Sequence, residues 1–306
     1  MSDINVQKLA GLDEAARAAL VRRSESDLSF FLEKVQPIID AVKNEGDAAL
    51  VRYGRDFDKA VSLTAETLQV SEAEFDEAFG LVDDKVIEAI RFGIGNIKNF
   101  HEEQAPEPMW LKEVRPGAFA GDRYLPINSV ALYVPRGKGS FPSVTMMTAV
   151  PGVVAKVPNL AIFTPPGPDG KVDAATLVAA RIAGVETVYK CGGAQAVAAA
   201  AYGTETVKKA HKIVGPGSPW VVAAKRLLAG IIDPGLPAGP SECVILADDT
   251  VSGRLAAMDL LIEAEHGPDS SAWLVTPSER VVEEALAAIP ELWGKMTEQR
   301  VEFSRT

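Results

Sequence analysis

Cysteine is scarce in this chain of 306 residues, which contains only Cys191 and Cys243. Two cysteines are too few for a disulfide framework and are typical of proteins that work in a reducing compartment. No apolar run approaches the roughly 20 residues that a membrane-spanning helix needs. The N-terminus also lacks the basic and apolar regions of a secretory signal. These absences predict a cytoplasmic protein without a membrane partner.

Positive charge is in deficit as well. The chain has 31 Lys and Arg residues against 42 Asp and Glu residues, which gives a formal net charge of −11 at pH 7. Such an excess of negative charge argues against binding to nucleic acid or to anionic membranes. A hydrophobic content of 47% and a charged content of 24% are ordinary for a globular protein with a well-buried core.

The pattern of secondary-structure signals in the sequence changes near residue 129. Residues 1 to about 110 show mostly helical periodicity, whereas short β-rich runs alternate with helical windows after that point. Strands separated by helices predict right-handed βαβ units and a parallel, doubly wound sheet. The predicted strands are 130–134, 160–163, 187–189, 212–214, 243–246 and 272–275, and the helical windows are 142–155, 172–183, 194–202, 219–230 and 252–266.

Glycine-rich turns follow several of these strands. Cys191-Gly-Gly-Ala-Gln195 and Gly215-Pro-Gly-Ser218 follow the third and fourth, while Arg136 and Lys138 lie in the turn after the first. Ligands of parallel sheets bind beyond the carboxyl ends of the strands, and glycines let backbone amides approach a phosphate. The turns indicate a nucleotide-sized ligand, although βα turns are often glycine-rich and no G-x-G-x-x-G fingerprint is present. The two cations would hold an anionic group or belong to a solvated loop.

Glu263 and His266 form a candidate metal-binding pair. Residues three apart on a helix share one face, so a carboxylate and an imidazole would point to one place, as in half of a zinc site. Gly267-Pro268 is predicted to end the helix and to leave His266 in its last turn. The alternative is a solvated amphipathic helix whose C-terminal histidine is favoured by the helix dipole.

Seven stretches, taken in order, resemble the histidinol dehydrogenase family. They are Leu132-Tyr-Val-Pro135, Gly192-Gly-Ala-Gln-Ala-Val197, Ala201-Tyr-Gly-Thr204, Gly215-Pro-Gly217, Ala224-Lys225, Ala238-Gly-Pro-Ser-Glu242 and Glu263-Ala-Glu-His-Gly267. The resemblance implies an α/β fold of two incomplete Rossmann-like, doubly wound domains with a helical N-terminal region. The first domain would comprise 1–128 plus 239–306 and carry the metal and substrate helix. The second, 129–238, would bind NAD.

The resemblance also implies a function. Members of this family oxidise L-histidinol through a bound aldehyde to L-histidine, using zinc and two successive hydride transfers to NAD. They are homodimers in which the partner subunit completes the active site. Carried over to this chain, the NAD-binding residues would be Tyr133, Gln195 and Ser218, the substrate-binding residues Ser241, Glu263 and His266, and the zinc ligands Glu263 and His266.

Three departures from the family pattern leave the identity of the substrate open. One is the turn after Pro135, which carries Arg136 and Lys138 where the family usually has small neutral residues. Glu263 stands where the family usually has Gln, and Ser218 stands where it usually has Asn. They allow a different primary alcohol as substrate, including an anionic amino or hydroxy alcohol. The family's catalytic Glu–His pair and the remaining zinc ligands are expected beyond Thr306, so the catalytic residues are unknown here. We therefore expect an N-terminal fragment that is inactive alone, or a nucleotide-binding fragment without catalysis.

Cys191 suggests an alternative function, in which the protein is an enzyme of another class. A thiol at a Gly-Gly helix start could act as a nucleophile, as in aldehyde dehydrogenases. The alternative is a small residue that fills a tight turn. Labelling with iodoacetamide separates the two, because modification of a nucleophile abolishes activity.

Overall fold

A computed structural model of the chain describes residues 4–20, 28–136, 139–236, 242–267 and 270–305. The helices are α1 (Glu14–Leu20), α2 (Ser29–Glu45), α3 (Asp47–Phe57), α4 (Glu72–Leu81), α5 (Asp84–Gln104), α6 (Pro142–Val154), α7 (Ala174–Ala183), α8 (Gly193–Tyr202), α9 (Pro219–Leu227), α10 (Gly253–Ala264), α11 (Glu279–Trp293) and α12 (Glu298–Phe303). The strands are β1 (Met109–Arg115), β2 (Ala118–Arg123), β3 (Ser129–Tyr133), β4 (Asn159–Thr164), β5 (Thr187–Lys190), β6 (Lys212–Val214), β7 (Glu242–Leu246) and β8 (Ser271–Val275). Within the described ranges, no helix combines the length and the apolar character that crossing a bilayer requires.

Helix starts follow from local chemistry. Ser71 caps α4 in a capping box, in which its backbone N–H donates to the Glu74 carboxylate at 3.0 Å. Asp173 caps α7 by accepting a hydrogen bond from the Thr176 N–H at 2.9 Å. Helices α6 and α9 both begin with proline, which lacks the N–H that a first helical turn leaves unpaired.

The chain divides into two compact units, 27–237 and 1–26 with 238–306. The sequence instead assigned residues 27–128 to the other domain. The physical reason for the difference is that α2 and α3 share a core with α8 and α9, while α4 and α5 share one with α6 and α7. The helical N-terminal region thus covers the sheet of the larger unit.

The larger unit contains a four-stranded parallel sheet in the order β5-β4-β3-β6. The chain moves outward from β3 through β4 to β5 and then returns to place β6 on the other side of β3. This is the strand order of half a Rossmann fold, and its topological switch point lies between β3 and β6. Ligands of such sheets bind at the switch point, beyond the carboxyl ends of the strands.

Both faces of this sheet are covered by helices. Ala131, Tyr133 and Ile213 pack in one core with α2, α3, α8 and α9. Val130 and Leu132 point to the opposite face and pack with α4, α5, α6 and α7. The arrangement confirms the predicted α/β fold, and strands at all six predicted positions are present.

The edges of the four-stranded sheet are occupied by backbone from elsewhere in the unit. Along β5, Val70 N–H donates to the Val188 carbonyl at 2.9 Å and Lys190 N–H donates to the Leu68 carbonyl at 2.7 Å. Along β6, the Ile213 N–H donates to Asp233 at 2.8 Å. These contacts satisfy edge groups that would otherwise face solvent.

The smaller unit holds a second parallel pair. Strands β7 and β8 pair in register from Glu242 opposite Ser271 to Leu246 opposite Val275. Helices α10 and α11 pack through Ala257 and Ile289. An antiparallel hairpin of β1 and β2 belongs to the larger unit and was absent from the sequence prediction.

Candidate functional site

Tyr133 lies at the carboxyl end of β3, beside the topological switch point. Its side chain is 4% exposed, and its hydroxyl oxygen accepts a hydrogen bond from the Gly193 N–H at 3.0 Å. Burial, the main cause, raises the pKa of the Tyr133 phenol well above its ordinary value, so the group stays neutral at physiological pH. Because the oxygen acts as acceptor toward Gly193, its own O–H remains able to donate to a ligand.

Gln195 is brought to the same region by the start of α8. The side chain is 2% exposed, and its amide makes no hydrogen bond with any residue in the described part of the chain. Gly193 adopts a φ of +61°, and a Cβ there would lie 2.7 Å from Gln195 Oε1. Glycine is thus needed both for the backbone conformation and for the space that the Gln195 amide occupies.

The turn after β6 forms the other side of the switch point. Ser218 is the N-cap of α9, but its exposed hydroxyl makes no capping hydrogen bond. Lys225, two turns into α9, reaches back so that its Nζ donates to the Gly215 carbonyl at 2.7 Å. Burial lowers the pKa of Lys225 to about 8. Lys225 lies in one of the family-like stretches, but no role was predicted for it from the sequence.

A second group that the sequence did not reveal is the Asp58 carboxyl at the end of α3. Burial raises the pKa of this carboxyl to about 6, and the charge of the Arg136 guanidinium opposes the rise. No sequence signal marks this residue, because its position depends on how the N-terminal helices pack on the sheet. Arg136 is half-buried, and its Nη1 donates to the Lys171 carbonyl at 2.9 Å.

Cys191 does not have the surroundings of a nucleophile. The residue is 3% exposed, and its N–H donates to the Thr164 carbonyl at 2.9 Å. Burial, followed by the charges of Asp58 and Asp47, raises the pKa of the Cys191 thiol well above its ordinary value. The thiol is therefore neutral near pH 7, which favours the small packing residue over the nucleophile.

Glu263 and His266 lie at the end of α10 in the smaller unit. The prediction that His266 occupies the last helical turn is wrong, because the helix ends at Ala264. The His266 N–H donates to the Glu263 carbonyl at 3.1 Å, which tightens the chain into a turn ahead of Gly267. The Glu263 side chain is half-buried and that of His266 exposed, and neither hydrogen-bonds to another described residue. The Glu265 carboxylate, which lies between them in sequence, accepts a hydrogen bond from the Arg300 Nη1 at 2.5 Å.

The described residues do not complete a metal site. They contain no group of three or more His, Cys, Asp or Glu side chains arranged to hold an ion. Ser241, predicted to contact substrate, and Lys138, predicted to contact an anion, lie outside the described residues. The structure thus brings Tyr133 and Gln195 together around Gly193 in one unit.

A parallel, doubly wound sheet with free polar groups at its switch point is typical of Rossmann-like nucleotide-binding proteins. Comparison with known proteins agrees and is more specific. A family model described as histidinol dehydrogenase matches residues 21–305. The crystal structure of histidinol dehydrogenase from Elizabethkingia anophelis matches with a TM-score of 0.89 at 32% identity, covering 96% of this chain and 67% of that one.

Sequence relatives point the same way. A histidinol dehydrogenase homolog of Cereibacter sphaeroides is 77% identical over 305 residues, which cover 100% of this chain and 69% of that protein. A histidinol dehydrogenase of Synechocystis sp. is 51% identical over 298 residues, covering 97% and 68% respectively. The chain belongs to the histidinol dehydrogenase family, and it spans just over two-thirds of the length of these two relatives.

Proposed function

We propose that this protein is a zinc-dependent, NAD-linked dehydrogenase that oxidises L-histidinol through the bound aldehyde to L-histidine. The observation that carries the proposal is the pair formed by Tyr133 and Gln195 at the carboxyl edge of the sheet. Both side chains are almost fully buried, yet both keep hydrogen-bonding capacity that no described residue uses. Family membership supports the same reaction.

The residues on this edge fit a dinucleotide cofactor. Tyr133 and Gln195 would donate hydrogen bonds to it, and the free Ser218 hydroxyl at the start of α9 would add a third contact. Glu263 and His266 supply donor types that zinc accepts, and their side chains are not engaged elsewhere in the described chain. They are two of the four ligands that a structural or catalytic zinc usually has, and the resemblance places the others beyond Thr306.

When bound, zinc would supply a Lewis acid that fixes the substrate's polar groups, and NAD would supply the hydride acceptor. Glu263 and His266 would hold the metal and Ser241 would contact the substrate, while Tyr133 and Gln195 would orient the nicotinamide cofactor. Orientation contributes much of the rate, because two reactants held in place react as one molecule. The Glu–His pair that handles protons is expected, by resemblance, beyond Thr306.

Removing a metal ligand tests this function directly. We expect His266→Ala to lower kcat/KM for L-histidinol on the order of 100-fold or more, because the metal loses one of its ligands. NADH formation is followed at 340 nm in the natural protein, including any residues after Thr306, with zinc supplied and then removed by a chelator. His101→Ala on α5 is the matched control and should retain activity. Activity that survives chelation would contradict the proposal.

A different alcohol is the second candidate substrate. It is favoured by Glu263, whose negative charge beside the metal departs from the family pattern, and by Arg136 near the cofactor edge. Zinc and NAD binding without turnover of L-histidinol would point to that substrate. NAD binding without any metal dependence, and without NADH from any amino alcohol, would instead identify a nucleotide-binding protein without catalysis.

We also propose that the protein is a homodimer whose active site is completed by the partner subunit. The β1–β2 hairpin supports self-association, because a two-stranded hairpin is marginal on its own and every residue of β1 is exposed. Leu111 and Phe119 are 64% and 67% exposed. Large apolar side chains exposed on one hairpin are typical of an interface.

Leu111→Asp should convert this dimer to a monomer, since a charge would be buried at the interface. The mass in solution is measured by light scattering after gel filtration at micromolar concentration. Leu81→Asp is the control, because Leu81 is 67% exposed and lies on α4, outside the hairpin. Equal masses for the Leu111→Asp variant and the unaltered protein would show that the hairpin is not the interface.

A further inference from the structure

Glu265 lies between the two proposed zinc ligands in sequence, but its side chain is held by another helix. The Glu265 carboxylate accepts a hydrogen bond from the Nη1 of Arg300, which lies on α12. The side chains of Glu263 and His266 form no ion pair or hydrogen bond with other described residues. Of the three donor groups in this segment, one is therefore bound within the chain, and two remain able to bind a metal.

The turn that carries these three residues lies at the end of a helix. Helix α10 ends at Ala264, and Glu265 is its C-terminal cap. The Glu265 N–H donates to the Leu261 carbonyl at 3.2 Å, and the His266 N–H donates to the Glu263 carbonyl at 3.1 Å. Helix ends fray more readily than helix interiors, because their backbone groups lack part of the helical hydrogen bonding. A side-chain contact from another helix therefore restrains this turn more than it would restrain the middle of a helix.

The helix that supplies this contact is itself attached to the rest of the smaller unit. Helix α12 is joined to the end of α11 by the Trp293 Nε1, which donates to the Ser304 Oγ at 2.7 Å. Helix α11 approaches α10 closely, since a Cβ at Gly253 would lie 2.4 Å from the Val281 carbonyl oxygen. The contact between α12 and the turn thus ties the end of α10 to the helices that pack against its start.

The same contact separates Glu265 from the two proposed ligands. Side chains two residues apart on a helix do not face each other, so Glu263 and Glu265 start in different directions. The described residues contain no group of three His, Cys, Asp or Glu side chains arranged to hold an ion, so Glu265 does not converge with Glu263 and His266. Its negative charge is instead neutralised by Arg300, and its side chain is only 25% exposed.

We propose that Arg300 is a positioning residue for the metal site, which acts by holding Glu265 and so fixes the turn that presents Glu263 and His266. This assignment rests on the proposed function, since it places a metal on those two ligands. It gives α12 a part in the site although the helix supplies no ligand. Groups that hold metal ligands in place typically contribute roughly ten- to a hundredfold in metal affinity.

Zinc affinity, measured by competition with a chelating dye, tests the assignment without requiring turnover. The natural protein is used, including any residues after Thr306. Arg300→Gln removes the charge that holds the turn and should weaken zinc binding about tenfold or more. Arg300→Lys keeps the charge and should weaken it less.

Arg254→Gln is the matched control. Arg254 also lies on α10, pairs with Glu291 at 2.6 Å and is 44% exposed, against 40% for Arg300. Its ion pair is near the start of the helix, so zinc binding by this variant should stay within about twofold of the unaltered protein. Thermal unfolding should change little for either glutamine variant, since partly exposed ion pairs contribute little to stability.

A double-mutant cycle shows whether Arg300 acts through Glu265. Glu265→Ala should weaken zinc binding as Arg300→Gln does, and the double variant should bind no more weakly than either, because both changes remove one contact. Losses that add in the double variant would overturn the assignment. So would zinc binding by Arg300→Gln that is tighter than, or within twofold of, that of the unaltered protein. These results would leave the proposed function intact, whereas an unaltered protein that does not bind zinc would overturn both.

Cobalt provides a readout that a loss of stability alone would not change. Co²⁺ in place of zinc absorbs visible light, and its absorption depends on the number and geometry of its ligands. At saturating cobalt, Arg300→Gln should alter this spectrum, because the turn no longer fixes the directions of Glu263 and His266. Arg254→Gln should leave the spectrum unchanged. An unchanged spectrum for Arg300→Gln would show that Arg300 does not position the ligands.

Discussion

Replacing Gly215 by alanine should destabilise the protein by about 3 kcal/mol or more and abolish NAD binding. Gly215 has a φ of +116°, a conformation that side chains with a Cβ rarely adopt. A Cβ at this position would lie 2.1 Å from the Tyr133 carbonyl oxygen and 3.0 Å from its carbonyl carbon. The clash is with backbone of the central strand, so it cannot be relieved by rotating a side chain.

The loss of function follows from the same contact. Relief of the overlap requires movement of the end of β3, which carries the Tyr133 hydroxyl, or of the turn that Lys225 fixes at 2.7 Å through the Gly215 carbonyl. Either movement would open the switch point where the cofactor is proposed to bind. Urea unfolding followed by circular dichroism gives the free energy of unfolding, and titration gives the NAD affinity.

Gly230→Ala is the control for this experiment. A Cβ at Gly230 meets nothing within 4 Å, and its backbone is not in the left-handed region. Its stability should stay within about 0.5 kcal/mol of the unaltered protein. A Gly215→Ala variant that is as stable as the Gly230→Ala variant would show that stability does not require the close approach of the turn after β6 to the end of β3.

Replacing Glu74 by glutamine should cost about 3 kcal/mol or more of folding free energy. The Glu74 carboxylate lies 2.5 Å from the Nζ of Lys190, whose side chain is only 5% exposed. Glutamine preserves the shape of the side chain and an acceptor for the Ser71 N–H in the capping box. It leaves the buried ammonium without a counter-charge, which is the costly part of breaking a buried ion pair.

The effect of Glu74→Gln should depend on pH. Burial is the largest single influence and raises the pKa of Glu74, but the hydrogen bonds from Lys190 and Ser71 and the charge of Lys190 together outweigh it, so that the pKa lies below its ordinary value of 4.5. A lowered folded-state pKa gives stability that is present above the unfolded value and is lost as the pH falls through the folded value. The difference between variant and unaltered protein should therefore shrink below about pH 4.5.

Glu72→Gln supplies the matched control on the same helix. Glu72 pairs with Arg181, but its side chain is 74% exposed, and exposed ion pairs contribute little. Unfolding by urea at about pH 7 and pH 4 should show little change for this variant at either pH. A Glu74→Gln variant that behaved in the same way would show that Lys190 does not need its partner.

The sequence was most informative where its pattern reports burial. The strand β3 is buried at every position, and its run of apolar residues identified it without knowledge of its neighbours. The hairpin of β1 and β2 was missed, because β1 is exposed throughout and its sequence, Met-Trp-Leu-Lys-Glu-Val-Arg, does not alternate between apolar and polar residues. The end of α10 was placed two residues too late, since the terminal turn tightens ahead of Gly267.

The candidate site shows the same limit. Tyr133, Gln195 and Ser218 follow strands, so the rule for ligand position in parallel sheets, together with the family resemblance, could mark them. Asp58 could not be found in this way, because it ends a helix far from any strand in sequence. Its position depends on the packing of α3 with α8, a tertiary contact that a local pattern does not contain.

The occupied edges of the four-stranded sheet affect how molecules of this protein could aggregate. Leu68–Val70 lies along β5 and Asp233 lies along β6. A strand of another molecule therefore finds no unpaired row of main-chain N–H and C=O groups at these edges. Such a sheet cannot serve as a template for intermolecular strand addition, which is a common route to fibrils. Within the described residues, the β1–β2 hairpin and the β7–β8 pair each lack a third strand, so a misassembled form of this protein should begin at one of these two pairs.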